Sequence, residues 1–247
     1  MGVFEQFPYA NFHEINIDWI LKALKKYGEK LDAYDEYIKK VVAEAVNDDH
    51  LTELILTALT QYGLVINVKA PPDSLAPASG DGSTDDTSAV QACIDYATNK
   101  GYGVVFFPAG DYSISALTMS DRVALVGANR YTSKIVQRGG AIKPLIGAVS
   151  NSGIYNVTLS ANSGAQTEQP HIITHCDNAE FSSLIFTDCY SPILASVEGH
   201  CQFTEIVFHN IGRTAFDITG NHVTMSGIYI DTLLDGVNLF TLFGNFN

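Results

Sequence analysis

Three side chains near the C-terminal end of the chain, Glu205, His209 and Asp231, are of types that transfer protons. His209 and Asp231 are 22 residues apart, and on neighbouring strands about 4.8 Å apart the imidazole could contact the carboxylate. Such a pair can act as a general acid or base on a sugar, or form a solvated hydrogen bond at an interface; the second interpretation is favoured. Glycoside hydrolysis generally needs two carboxylates about 5–10 Å apart, and the sequence does not establish the separation of Glu205 from Asp231. The three residues are therefore weak catalytic candidates and not an assigned catalytic group.

The 22-residue spacing belongs to a repeat of apolar residues. Its three copies are Phe181, Leu184 and Phe186; Phe203, Ile206 and Phe208; and Met225, Ile228 and Ile230. An earlier copy, Ile154, Val157 and Leu159, lies 27 residues upstream with the same internal spacing. Units of this length that are rich in Phe, Ile, Val and Thr are too short for helix pairs, so each predicts one coil of a parallel β-helix. Division of the length after Gly103 by this period predicts six or seven coils.

The side chains between these apolar positions are predicted to point outward, because successive residues of a strand alternate faces. Ile185, Val207 and Tyr229 then form an outer apolar ladder. Exposed apolar ladders usually mark an interface, here one between subunits of a trimer, and the alternative is a loop that covers the face. Thr187 continues the outward row that contains His209 and Asp231.

Other polar residues have simpler interpretations. Asp188 and Asn210 follow the inward aromatic positions and are expected to satisfy turn backbone. His171 and His175 have the spacing of paired metal ligands only on a helix, and Gln169-Pro170 argues for strand or loop. The sequence predicts no metal site and no cofactor.

Composition excludes several classes of partner. A net charge of −13 argues against nucleic acid and anionic membranes, which require an excess of Lys and Arg. No apolar run is long enough to cross a bilayer, and residues 1–10 lack the features of a secretory signal. The four cysteines have no zinc-like spacing, and reduced thiols packed as small core residues are favoured over disulfides. They are Cys93, Cys176, Cys189 and Cys201.

Residues 16–46 carry an uninterrupted heptad pattern. A strict 3.5-residue repeat favours a left-handed coiled coil, here a homotrimeric stalk, and the alternative is an amphipathic helix packed on its own chain. The seam consists of Ile17, Ile20, Leu24, Tyr27, Leu31, Tyr34, Ile38, Val41 and Ala45.

The chain is predicted to divide into a helical region at 1–66, a linker at 67–83 and a β-helix at 84–247. A second helix is predicted at about 49–62 and a short strand at 64–69. A third helix, at 87–100, has a possible capping box of Ser88 with Gln91 and a C-cap at Gly101. This third helix is expected to cover the open end of the β-helix.

Residues 80–115 closely resemble the N-terminal segment of the pectate-lyase-like superfamily, whose pattern is approximately GDG-x-TDDT-x-A-aliphatic-Q followed by F-P-x-G and Y-x-I. The matching residues are Gly80, Asp81, Gly82, Thr84, Asp85, Asp86, Thr87, Ala89, Gln91, Ile94, Asp95, Phe107, Pro108, Gly110, Tyr112 and Ile114. The resemblance implies a right-handed parallel β-helix with a capping helix. In that superfamily the segment is structural, and its members range from pectin-degrading enzymes to phage tailspikes, so the resemblance implies a polysaccharide theme and no particular activity.

Residues 11–22 resemble a short virion-anchoring motif of phages that infect Gram-positive bacteria. The residues that carry this shorter resemblance are Phe12, His13, Ile15, Ile17, Asp18 and Trp19. Together with the heptads and the β-helix, it implies a homotrimeric spike or neck appendage of a phage virion, attached to other phage structural proteins through its helical N-terminus.

The sequence therefore predicts a mainly β protein with an N-terminal α region, located in the virion, that presents a β-helix to host-surface polysaccharide. The alternatives are a depolymerase, either hydrolase or lyase, that cleaves this polysaccharide, and a cellular glycan-binding or glycan-cleaving β-helix protein. The apolar run at 237–243 predicts that the solenoid continues in a longer chain or is closed by another subunit.

Overall fold

The computed structural model describes residues 65–138, 145–146, 149–161, 173–197, 199–220, 222–231 and 238–243. The predicted anchoring motif, the heptad seam and the helix at 49–62 lie outside these residues and stay predictions, as does His171. The proposed linker at 67–83 is bordered by two strands that both pair with the following β structure. Whether it separates two domains also stays a prediction.

The described residues contain one helix, α1 (Thr87–Lys100). The strands, in chain order, are β1 (Val65–Asn67), β2 (Asp81–Asp85), β3 (Gly103–Phe107), β4 (Gly110–Ile114), β5 (Val123–Gly127), β6 (Ser133–Gln137), β7 (Val149–Ser150), β8 (Gly153–Tyr155), β9 (Thr158–Ser160), β10 (Ile173–Asp177), β11 (Glu180–Cys189), β12 (Ile193–Val197), β13 (Cys201–Ile211), β14 (Thr214–Gly220), β15 (Val223–Ser226), β16 (Tyr229–Ile230) and β17 (Asn238–Phe243).

These strands form three rows of parallel strands, which is the architecture of a parallel β-solenoid. The first row is β1, β3, β5, β8, the start of β11, the start of β13, and β15. The second row is β2, β4, β6, β9, the end of β11, the end of β13, and β16. The third row is β7, β10, β12, β14 and β17. The predicted parallel β-helix is therefore confirmed as a solenoid, whereas its handedness stays a prediction.

From Gly103 to Val223 the described solenoid makes five turns, because after Gly103 the chain returns to the first row at Val123, Gly153, Glu180, Cys201 and Val223. The strands β15, β16 and β17 belong to the coil that begins at Val223. The uniform 22-residue period behind the prediction of six or seven coils does not hold over the whole region. Only the later turns keep that period, and the earlier turns from β5 to β11 are longer.

The predicted repeat sets the register of the later turns. Phe181 is paired with Ile154 below it and with Phe203 above it, and Phe203 is paired with Met225. The rings of Phe181 and Phe203 stack with centroids 4.7 Å apart, and those of Phe186 and Phe208 stack at 5.5 Å. Stacked aromatic rings between turns add to the apolar burial that stabilises a solenoid.

Helix α1 begins and ends at the predicted residues. Its buried face is the predicted one, consisting of Ala89, Val90, Cys93, Ile94 and Ala97, and Gly101 adopts the left-handed conformation of a C-cap, with a φ of 88°. The predicted capping box was wrong. The Gln91 amide instead bonds both the carbonyl and the backbone N–H of Thr118, a long-range contact that holds the helix against the first turns.

Buried Asp86 explains part of the motif that precedes α1. One of its carboxylate oxygens accepts the backbone N–H of Ser79 at 2.6 Å, and the other accepts that of Gly80 at 3.0 Å. Gly80 has a φ of 62°, and a Cβ there would lie 2.9 Å from the ring of Tyr112, so this position favours glycine. The motif residues are thus structural, as the resemblance implies.

All four cysteines are free and buried, which confirms that they pack as small core residues. Burial raises the pKa of the Cys93 thiol to about 12 and that of the Cys189 thiol well above its usual range. Within the described part of the chain, no helix combines the length and the apolar character that a membrane span requires.

Candidate functional site

The outer face of the second row carries two parallel lines of side chains, in which Ser113, Thr158 and Ser160 are buried and the other members are partly or fully exposed. The first line is Asp111, Lys134, Thr158, Ile185, Val207 and Tyr229. The second line is Ser113, Val136, Ser160, Thr187 and His209, with Asp231 directly after the last strand. Successive members of each line lie on neighbouring strands, so each line crosses the strands and follows the axis of the solenoid.

His209 and Asp231 are in contact at the distal end of this face. The distance between His209 Nδ1 and the Asp231 carboxylate is 2.6 Å, and the two side chains are 48% and 65% exposed. When Nδ1 carries the proton and donates it to the carboxylate, Nε2 of a neutral imidazole is an acceptor. The pair can therefore bind a hydroxyl group, and it can also accept a proton from one.

The predicted outer apolar ladder is in register on the same face. Ile185 is paired with Val207, and Val207 with Tyr229. Ile185 and Val207 are half-buried, whereas Tyr229 is 62% exposed. Ile230, which the repeat predicts to be inward, is 38% exposed, although Phe208 beneath it is fully buried.

A corner loop that the sequence analysis missed borders the face on the side of the first row. The Asn156 amide donates to the carbonyls of Gly127 and Ala128, and its oxygen accepts the Arg130 backbone N–H. The Arg130 guanidinium reaches along the corner to the carbonyl of Glu205 at 3.3 Å. The loop connects β5 to β6 within one of the early turns. Because these turns do not keep the 22-residue period, the repeat does not identify it.

The same loop presents a second exposed aromatic ring. Tyr131 is 63% exposed, its hydroxyl accepts a hydrogen bond from the Arg130 guanidinium, and that guanidinium lies 5.2 Å from the centre of its ring. Arg130 therefore fixes the orientation of Tyr131 at the edge of the face.

Glu205 occupies a corner and does not share the strand face with His209 and Asp231. Its φ of 55° is left-handed, as are those of Asn156, Ser183 and Gly227 at the equivalent corner of other turns. The three catalytic candidates are thus brought together only in part: His209 contacts Asp231, whereas the described role of Glu205 is its carbonyl contact with Arg130.

Asp188 and Asn210 border the face on the side of the third row. Both are left-handed, with φ values of 53° and 54°, which suits short polar side chains at turns. The Asn210 amide donates to Asp188 at 2.6 Å, and Thr187 donates to the other oxygen of the same carboxylate. Asn210 and Asp188 therefore bond each other across neighbouring turns, and Thr187 bonds Asp188 within its own strand.

The third row carries a shorter polar line, in which His175 is paired with Ser196 and Ser196 with Thr219. His175 lies on strand β10, so its geometry is that of a strand and not of a helix with paired ligands. Among the described residues, no three His, Cys, Asp or Glu side chains are grouped so that they could hold a metal ion.

Residues 76–144 match the family described as rhamnogalacturonase A/epimerase, pectate lyase-like. Mannuronan C5-epimerase AlgE3 of Azotobacter vinelandii is 38% identical over 101 residues, which cover 34% of this chain and 6% of that protein. Alginate lyase 7 of the same organism is 29% identical over 156 residues, which cover 57% of this chain and 17% of that protein. The chain thus spans only a small part of the length of these relatives.

A solved structure with a similar fold is that of a putative glycosyl hydrolase from Parabacteroides merdae. It superposes with a TM-score of 0.56 at 15% identity, covering 73% of this chain and 93% of that chain. At this level of identity the likeness concerns the fold alone. The family match and the β-solenoid together support membership of the pectate-lyase-like superfamily.

Proposed function

We propose that this protein is an appendage of a phage virion that binds host-surface polysaccharide on the outer face of its second row. The polysaccharide theme is supported by the superfamily and by relatives named as an epimerase and a lyase of such polymers. The virion location rests on the resemblance of residues 11–22 and on the heptads at 16–46.

The observation that carries the binding proposal is the composition of this face. Tyr131 and Tyr229 expose their rings, and aromatic rings pack well against the apolar faces of sugars while their hydroxyls form hydrogen bonds. His209, Asp231 and Thr187 add donors and acceptors between them. The strands are about 4.8 Å apart, which is close to the length of one sugar unit, so an extended glycan along the axis would meet one turn per sugar.

The remaining parts of the chain have roles in the same proposal. The helical N-terminus would attach to the particle and hold three chains together, and α1 would cover the first turn of the solenoid. The outer apolar ladder could then contribute to glycan binding or to the contact between subunits.

Retention of the purified protein on host-surface polysaccharide tests the binding proposal. We expect Tyr229→Ala to weaken binding at least tenfold, because the exposed ring is lost without a change in the core. Thr219→Ala, an exposed substitution on the third row, is the matched control and should bind like wild type. Equal binding by both variants would rule out the second-row face as the binding surface.

Mass measurement in solution tests the assembly. We expect a mass of three chains, and Leu24→Asp, which puts a charge in the heptad seam, should yield monomers. A wild-type protein that stays monomeric at high concentration would remove the coiled-coil argument and weaken the virion proposal.

A depolymerase is the second candidate, and the contact between His209 and Asp231 is the observation that favours it. In that case the pair would move a proton at the sugar. Incubation with host polymer would release new reducing ends or unsaturated sugars, and both His209→Ala and Asp231→Asn would abolish release. His200→Ala, an exposed histidine on another corner, is the matched control. If wild type releases no product, the function is binding alone.

A further inference from the structure

We infer that the glycan bound by the second-row face is uncharged, a polymer of neutral or N-acetylated hexoses, and that polyuronates of the kind named for the relatives are excluded. This inference deepens the proposed function and rests on it. It follows from the partners of the charged side chains on the face and at its two corners.

Two cations of this face among the described residues, Lys134 and Arg138, are already engaged. Lys134 pairs with Asp111 at 3.7 Å. Arg138 pairs with Asp85 at 3.5 Å and also donates to the Ser83 carbonyl. An anionic sugar would have to displace these carboxylates from Lys134 and Arg138. The exchange would replace one ion pair by another and would add no favourable electrostatic interaction.

The nitrogen-bearing side chains nearest the exposed aromatic rings, Arg130 and His209, are also engaged. Arg130 donates to the Glu205 carbonyl and to the Tyr131 hydroxyl, and the contact with Tyr131 orients the exposed ring. His209 Nδ1 lies 2.6 Å from the Asp231 carboxylate, which is the acceptor when Nδ1 carries the proton. Arg213, beyond the corner that follows β13, lies over the ring of Tyr190.

Carboxylates dominate what the face offers to a ligand. Asp231 is 65% exposed and Glu205 is exposed at one corner, whereas both carboxylate oxygens of Asp188 at the other corner already accept hydrogen bonds. The whole chain carries a net charge of −13. A polyuronate, with one carboxylate on every sugar, would meet like charges along its length, and like-charge contacts are an effective way to reject a ligand.

The same carboxylates suit a neutral sugar. Sugar hydroxyls are donors, and ionised carboxylates accept strong hydrogen bonds from them. The exposed rings of Tyr131 and Tyr229 would pack against the uncharged faces of the sugar, and the hydroxyl of Thr187, which donates to Asp188, can still accept a hydrogen bond. Charge and shape therefore favour a glycan whose only polar groups are hydroxyls and amides.

The test uses pairs of polymers that differ only in charge. The full-length protein is run in affinity gels that contain polymannuronate, polygalacturonate, the carboxyl-reduced form of each, or the neutral fraction of Gram-positive cell-wall polysaccharide. We expect retardation in at least one neutral polymer, tenfold weaker or absent retardation in the parent polyuronates, and loss of retardation in Tyr229→Ala. Asp231→Asn should reduce the difference in retardation between a polyuronate and its carboxyl-reduced form, because it removes one negative charge that repels the polyuronate.

The outcomes separate the two proposals. Retardation by a polyuronate that equals or exceeds that by its reduced form would overturn the uncharged ligand and leave glycan binding intact. Absence of retardation by every polymer would overturn the proposed function itself, and the inference with it. Added salt screens charges, so the difference in retardation between a polyuronate and its reduced form should become smaller as the salt concentration rises. A salt series therefore checks that the discrimination is electrostatic.

Discussion

The first turns of the solenoid, residues 65–138, and the last described turns, residues 180–231, use different means to form the same fold. The first turns are joined by polar contacts with specific partners. The carboxylate of buried Asp86 accepts hydrogen bonds from two backbone N–H groups. The side-chain amide of Gln91 donates to the Thr118 carbonyl and accepts from the Thr118 backbone N–H. The last turns repeat every 22 residues and are held by stacked phenylalanines. The family match at 76–144 lies mostly in the first turns, whereas the contact between His209 and Asp231 lies in the last.

This difference separates the evidence for fold from the evidence for function. A motif whose residues satisfy backbone groups and pack a helix is retained for structural reasons, so similarity there indicates architecture. The outward side chains of the last turns, such as Tyr229, do not pack in the core. Function should therefore be sought on the outer face of these turns.

The largest effect is expected from Phe208→Ala, which tests whether stacking holds the last turns. Phe208 is fully buried, stacks on Phe186 and packs edge-on against Phe216 with centroids 4.9 Å apart. Removal of a buried phenylalanine ring costs about 3–5 kcal/mol, to be measured by urea unfolding. Val207→Ala, the adjacent outward residue, is the matched control and should cost about 1 kcal/mol or less. Equal losses in the two variants would contradict the assigned faces.

A somewhat smaller loss is expected from Asp86→Ala, which tests the polar clamp of the first turns. The substitution leaves the Ser79 and Gly80 N–H groups without their carboxylate partner, at a cost of about 2–3 kcal/mol in the free energy of unfolding. Asn99→Ala, on the exposed side of α1, serves as the control. If Asp86→Ala unfolds like wild type, the motif is not the clamp of this region.

A gain is expected from Glu205→Asn, which tests the corners of the last turns. Glu205 has a left-handed φ of 55°, a conformation that asparagine tolerates better than glutamate. We expect about 0.5 kcal/mol of stabilisation, measured by denaturant unfolding. The same variant informs on function: unchanged glycan binding would remove Glu205 from the site, and destabilisation would mean that its side chain has a structural role.

The smallest effect concerns acid. Hydrogen bonds from Thr84 and Ser83 hold the pKa of Asp81 well below its ordinary value of 3.8, and hydrogen bonds from Thr87 lower the pKa of Asp85. A carboxyl with a lowered pKa in the folded state stabilises the protein above its unfolded pKa, and this contribution is lost as the pH falls towards the folded value. Melting temperatures measured between about pH 6 and pH 3 should therefore fall less steeply in Asp81→Asn than in wild type. A parallel fall in the two proteins would show that this carboxylate does not stabilise the first turns.

Much of the architecture could be read from the residues. The period that aligns Phe181 with Phe203 and Met225 predicted the register, because stacked turns of equal length must bring equivalent side chains together. The limits of α1 and its buried face were predicted as well. The lengths of the early turns were not, since the early loops do not follow the period.

The contacts of the candidate site were predictable only for residues that are separated by the 22-residue repeat. His209 and Asp231 are separated by one repeat, so their contact follows from the spacing once the strands are stacked. Arg130 and Tyr131 are not in phase with any repeat. Their position at the edge of the face depends on how Asn156 holds the corner loop, which local sequence does not encode.

The sequence by itself determined that apolar side chains recur at intervals that only stacked parallel strands can bury, and it thereby specified which residues point outward. Tertiary structure alone decided that an arginine from an early loop runs beside Glu205, 75 residues further along the chain. It also decided that Lys134 and Arg138 are paired with carboxylates of the same chain. The physical reason is that burial of the core requires apolar side chains at regular positions of every strand, so the pattern is visible in the sequence. Contacts between corners depend instead on loop paths that vary from turn to turn.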